Sequence, residues 1–146
     1  MSLSNAFETS LLEHIFQNAD IANIGDAAGL QNSAAAGNLY VALHEADPGE
    51  AGDQTTSETD YTNYARVAVA RSAAGWAVTG GTADNVGAVT FPEGGAHGAH
   101  ITHVSVGVAS AGASVILWSG ELTAHLDVSA GVTPSFAAGA LDCTVD

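Results

Sequence analysis

Two hydrophobic periods divide the chain. In "SNAFETSLLEHIFQNAD" the apolar residues Phe7, Leu11, Leu12, Ile15, Phe16 and Ala19 recur at helical spacing, which predicts one amphipathic helix with a single apolar face. Asn5 followed by Glu8 has the form of a capping box. Glu8 and Glu13 sit near the helix start, where the dipole favours acids. Asn18 to Gly25 supply the stop. Packing of this helix on its own domain is expected, with a neighbouring molecule as the alternative.

Beyond the helix the period changes to two. Residues 25–37, "GDAAGLQNSAAAG", are small and read as a flexible connection. Then "NLYVALHEA" places Leu39, Val41 and Leu43 on one side of a strand. "NYARVAVARS" sets Ala65, Val67 and Val69 against Tyr64, Arg66 and Ala68, with Arg66 on the polar side. "GWAVTGG" is a short strand ending in a glycine pair, and "VGAVTFP" stops at Pro92, which cannot continue a ladder. "HITHVSVGVA" alternates Val104, Val106 and Val108 with a more polar face of His103, Ser105 and Gly107. "SVILWSGEL" and "AHLDVS" read as two further strands. In the closing "SFAAGALDCTVD", Leu141, Cys143 and Val145 alternate with Asp142 and Thr144. About eight short strands separated by Gly-rich turns predict a mainly β fold, a single antiparallel β-sandwich or jelly-roll-like domain over 38–146 preceded by an N-terminal helix within 1–24. No internal repeat is present.

Composition narrows the function. At 146 residues with 47% hydrophobic content, the chain has the size and apolar fraction of one ordinary folded domain. Sixteen Asp and Glu stand against two arginines and no lysine, a net charge of −14. That balance excludes a nucleic-acid surface, which needs cations, and disfavours anionic membranes. It suits a salty medium or a basic partner. The first residues lack the basic and apolar regions of a signal peptide, and no apolar run approaches the roughly 20 residues of a membrane span. Synthesis in a cytoplasm is therefore expected. The single cysteine, Cys143, cannot form an intrachain disulfide and fits a small core residue.

Candidate chemistry is thin. His97, His100 and His103 lie three apart, but metal binding needs three or four ligands converging on one point. His100 and His103 would point to opposite faces of a strand, and His44 and His125 are remote in sequence. The three are read as loop and strand-start residues, with a histidine pair at an oligomer axis as the alternative. The acidic loop His44–Tyr61 carries Glu45, Asp47, Glu50, Asp53, Glu58 and Asp60; calcium takes such oxygens, yet the EF-hand pattern is absent, so a solvated loop is expected. No phosphate loop, lysine base or nucleophile elbow is present. No catalytic, cofactor-binding or metal residue is assigned, and no enzyme is expected. Arg66 and Arg71 are the two fixed cations, and Arg66 is expected to pair with a carboxylate within the fold or across a subunit contact. Trp76 and Trp118 are read as core residues, with an interface as the alternative.

An ordered set of short motifs carries a resemblance. "LYVALHEADPGEAG", "YARVAVA", "ADNVGAVTFP", "ITHVSVGVAS", "LWSGELT" and "GVTPSFAAGALDCTVD" resemble a family of small tailed-bacteriophage virion proteins, over residues 38–146 and more loosely the helix. Many members carry an aromatic after the His of "ITH", where this chain has Val104. The resemblance implies a non-enzymatic structural protein of the virion. A compact acidic β domain is too short to form a long fibre by itself, which makes a capsid decoration (cement) protein the first expectation. It would sit on the outer surface of the head, as a homotrimer partnered by the major capsid protein. A tail-associated role (fibre base, adaptor or tail tip) is the second, with tail proteins as partners. A carbohydrate-binding host-contact domain is the third.

Overall fold

The computed structural model describes residues 2–145; the outermost positions of the expected spans, 1 and 146, lie outside the described residues. One helix, α1 (Asn5–Gln17), precedes nine strands among the described residues. They are β1 (Asn38–His44), β2 (Val67–Ala70), β3 (Trp76–Thr79), β4 (Thr82–Asn85), β5 (Val89–Thr90), β6 (Ala99–Gly107), β7 (Ile116–Val128), β8 (Ser135–Phe136) and β9 (Asp142–Thr144). The sheets run β2–β1–β6–β7, β3–β4–β9 and β5–β8. The mainly β, antiparallel architecture with one N-terminal helix is the one expected from the period-two segments. The chain divides into two compact units. The first holds residues 1–38, 69–88 and 137–146, and the second holds 39–68 and 89–136.

In the first unit, α1 packs on β3 and β4. Its cap is Ser4, not the Asn5–Glu8 box. Ser4 is extended (φ −86°, ψ 147°), and its side chain accepts from Phe7 N, so the helix starts one residue earlier and Glu8 falls outside the box. Asn18 ends the helix in the left-handed region at φ 60°. Leu12 and Phe16 are fully buried, and Phe16 meets Trp76 edge-on at 4.7 Å. Each such side chain contributes about 1.5–3 kcal/mol on burial. Gln17 Nε2 donates to Trp76 O at 2.9 Å, which ties the last helical turn to β3. The Trp76 indole N–H has no partner among the described residues, so apolar packing must offset that orphan donor.

β3 and β4 form a hairpin across Gly80–Gly81 with Trp76 opposite Asn85, and β9 adds on the far side with Ala83 opposite Cys143. β4, "TADN", was not among the expected strands. Its inward residues are Ala83 and Asn85, and the polar Asn85 is nonetheless buried. Asn85 Nδ2 donates to the carbonyls of Gly87 and Ala137, and its Oδ1 accepts from Ala140 N and Leu141 N. One amide thereby closes the loop that leads into β9.

In the second unit, β1 pairs with β6 from Tyr40↔Gly107 to His44↔His103. Toward its end β6 is buried on both faces: Val106 is shielded as expected, but so are Ser105 and Gly107 of the predicted polar face, while His103 is half-buried and Val108 is exposed. The reason is local. Ser105 hydrogen-bonds a buried histidine, and Gly107 makes room for Gln54; a Cβ there would lie 2.1 Å from Gln54 Cδ. The two strands expected at "SVILWSGEL" and "AHLDVS" are one element, β7, with a register jump. Ile101 pairs with Leu126 but His103 pairs with Glu121, so Leu122–His125 bulge out opposite Thr102. The bulge flips the faces. Trp118 shares a face with Val106, whereas Leu126 shares the buried face of Ile101. An aromatic run, Tyr61, Tyr64, Phe91 and Phe136, links the loop before β2 to β5 and β8 at centroid spacings of 5.3, 6.3 and 6.2 Å.

Candidate functional site

The densest polar chemistry lies in the second unit, where the loop 45–66 folds against β1 and β6. His44 ends β1 and is fully buried. Its Nδ1 is 2.9 Å from the Thr56 carbonyl, which only accepts, so Nδ1 carries the proton. Nε2 then accepts from Ser105 Oγ at 2.8 Å. Burial lowers the His44 pKa and keeps the ring neutral.

Arg66 is the centre of the knot. Its Nε and Nη2 donate to the two oxygens of Glu58 at 2.6 and 2.7 Å, a bidentate fork. Nη1 reaches Ala109 O at 3.0 Å and, at 3.3 Å each, Gln54 Oε1 and Ser114 Oγ; Nη2 also reaches Gly112 O at 2.9 Å. The Arg66 side chain is 2% exposed and that of Glu58 15%. The hydrogen bond to Glu58 raises the Arg66 pKa further. Tyr64 completes the carboxylate shell, donating to Glu58 Oε1 at 2.9 Å while accepting from Leu43 N at 3.1 Å. Burial pushes its phenol well above the ordinary tyrosine value. Gln54 is buried too. It donates to Tyr40 O, and its N–H donates to Ser114 O. The expected ion pair of Arg66 is thus internal, although the residue stands just before β2 and points inward rather than lying on a polar strand face.

A solvent-open depression of about 470 Å³ lies over this knot, lined by residues 58–66 and 110–112. Its chemistry is already committed: Glu58 and Arg66 saturate one another, and Asp60 accepts from His97 Nε2 at 3.1 Å. The arrangement fixes loops; it presents no activated nucleophile and no paired free carboxylates.

The three spaced histidines do not converge. His97 meets Asp60, and His103 Nδ1 lies 2.8 Å from Thr102 Oγ1. His100 donates to Asp127 at 2.6 Å and stands edge-on to His125 at 5.3 Å, a pairing across β6 and β7 that sequence distance concealed. His125 in turn lies 3.3 Å from Glu121. Among the described residues no three His, Cys, Asp or Glu side chains are placed to hold a metal ion. The acidic loop is turn chemistry: Asp47 caps Gly49 N, Glu45 accepts from Thr59, and Asp53 accepts from the N–H and hydroxyl of Thr55. Those bonds hold the Asp53 carboxyl below its usual range.

In the first unit Arg71 closes α1. Its Nε donates to Ile15 O at 2.6 Å, Nη2 to His14 O, and Nη1 to Asn18 Oδ1 at 2.6 Å. A cation on the last carbonyls complements the helix dipole. Sequence reasoning assigned Arg71 no partner; the carbonyls at the end of α1 supply it. It also missed Asp84 and Asp142, directly opposite on β4 and β9. Their mutual hydrogen bond, with burial and charge repulsion, raises the Asp84 pKa.

A family model described as Podophage GP4 fiber I protein gp80 matches residues 2–144. No curated protein matched the chain.

Proposed function

The chain belongs to the podophage GP4 fiber I protein gp80 family, a family of tailed-phage structural proteins, and from that premise we propose that it is a non-enzymatic subunit of the tail fibre apparatus. The observation that carries the proposal is the extent of the match, which takes in the helix, all three sheets and both arginine sites. The interior supports it. The buried polar groups are spent on holding loops, the role expected of a scaffold rather than of a reacting site. The family's description supports the fibre over the head shell, the first expectation from the resemblance. Head decoration is the competing reading, and copy number separates the two. Quantitative mass spectrometry of purified particles, against the major capsid protein, is expected to find about a dozen to a few dozen copies, as cyclic tail symmetry requires. A count comparable to the capsid protein would overturn the fibre assignment in favour of decoration. Antibody labelling seen by electron microscopy at the tail, and not over the head, is the second expected result.

A further inference from the structure

His100 and His125 meet on the solvent face of the β6–β7 pair, and each is tethered by a carboxylate. His100 lies directly opposite Asp127 in the register, and His125, two residues before Asp127, falls on the same face. His100 Nδ1 donates to Asp127 Oδ1 at 2.6 Å, and His125 Nε2 donates to Glu121 Oε1 at 3.3 Å. A carboxylate oxygen only accepts, so these bonds place the proton of each neutral ring on the bonded nitrogen. The opposite nitrogens, Nε2 of His100 and Nδ1 of His125, then carry lone pairs. Both side chains are open to water, at 57% and 42% exposure.

The spacing of the rings fits a shared ion. Their centroids are 5.3 Å apart and their planes are nearly perpendicular, at 83°. Two imidazoles bound to one tetrahedral ion through bonds of about 2.0–2.1 Å have centroids roughly 5 Å apart. Carboxylates behind ligating histidines fix the ring orientation and raise the basicity of the ligand, and here each ring has one. They also offset the charge of a dication, on a chain whose net charge of −14 already draws cations. Two nitrogens are too few for a closed structural site, so the remaining positions fall to water. Imidazole selects the ion: it suits zinc, nickel and copper, whereas calcium and magnesium take oxygen. His97 gives the contrast. It has a similar carboxylate contact, to Asp60 at 3.1 Å, but stands against no second imidazole among the described residues.

We propose that His100 and His125 form a two-imidazole site for a divalent late transition-metal ion (zinc, nickel or copper), held through Nε2 of His100 and Nδ1 of His125. The site does not depend on where in the particle the chain sits, so it and the fibre reading can fail separately. The test is isothermal titration calorimetry of the full chain with Zn²⁺, in about 10 mM Mg²⁺ to occupy carboxylates that would collect any dication. The unaltered protein is expected to take up one Zn²⁺ per chain in the presence of that Mg²⁺. His100→Asn and His125→Asn are each expected to weaken uptake at least about tenfold, while His97→Asn leaves it unchanged. A second readout needs no variant: substoichiometric Cu²⁺, which is paramagnetic, should broaden the amide resonances of residues 99–102 and 124–128 first. No uptake at about 1 mM Zn²⁺, displacement of Zn²⁺ by Mg²⁺, weakening by His97→Asn equal to that of the paired residues, or broadening centred elsewhere would each overturn the proposal.

Discussion

Replacement of Arg66 by Met tests the claim that the polar knot holds the second unit together. The aliphatic stem is conserved in volume, and the guanidinium is lost. What is left behind decides the cost. Gly112 is exposed and its carbonyl turns to water; Gln54 Oε1 and Ser114 Oγ keep one another at 2.7 Å. Glu58 is the liability, because its side chain is 15% exposed and retains only the Tyr64 hydroxyl. Removing one member of a buried pair costs about 3–5 kcal/mol, and the surviving Tyr64 bond places this case near about 3 kcal/mol. Urea unfolding followed by tryptophan fluorescence and circular dichroism measures it. The partner variant Glu58→Gln makes the argument sharper: in Arg66→Met/Glu58→Gln no unpaired charge is left, so the double variant should be more stable than Arg66→Met alone. A loss below about 1 kcal/mol for Arg66→Met would mean the pair behaves like an exposed salt bridge. A double variant worse than the sum of the singles would refute the assignment of the cost to the stranded carboxylate.

Four further outcomes are expected. Asp84→Asn should raise the melting temperature at pH 7 by about 1–3 °C, since like charges directly opposite on paired strands destabilise. The folded state holds the Asp84 proton more tightly than the unfolded chain, so stability falls as pH rises through the raised pKa, and the advantage of the variant should vanish in acid. His44 has the opposite sign: its folded pKa lies below 6.5, so the unfolded chain binds the extra proton and stability is lost as pH falls from about 6.5, a slope that His44→Gln should flatten in pH-dependent melts. Cys143, buried and pushed up to about 12, should resist maleimide at pH 8 in native buffer and react in urea; rapid native labelling would contradict its burial. Leu12→Ala should cost about 2–4 kcal/mol in urea unfolding, because Leu12 is fully enclosed; a near-neutral result would mean that α1 is not part of the cooperative fold.

How far these features could be read in advance depended on whether burial was apolar. α1, β1, β3 and β9 bury Leu, Val, Phe, Trp and Cys at regular spacing, and each was legible from the pattern. β4 was not, because a strand whose buried end is an asparagine looks like a loop until the four partners of Asn85 are known. The burial of β6's polar side was missed for the same reason, although Val106 on the valine side is buried as expected. Ser105 and Gly107 are buried by what they accommodate, His44 and Gln54, while Val108 is left outside. Arg66 was flagged as a lone cation needing a partner, and six acids upstream made a partner plausible, but choosing Glu58 among them took the fold of the loop. The His100–His125 contact was out of reach, since it depends on the three-residue register jump in β7.

The scarcity of cations explains how the two arginines are used. With no lysine and sixteen acids, a surface arginine would serve only as one screened counter-charge, worth little in water. Turned inward, each guanidinium instead organises backbone. Arg66 reaches carbonyls of the turn 109–114 besides its carboxylate, and Arg71 reaches two carbonyls at the end of α1. Both uses need a planar, permanently charged fork with five donors, which an ammonium cannot imitate. Arg66→Lys should therefore lose most of the stability lost by Arg66→Met, despite keeping the charge. The consequence for the exterior is that Arg66 is buried and Arg71, half-buried, is engaged at the end of α1, so the exposed charge is chiefly that of carboxylates.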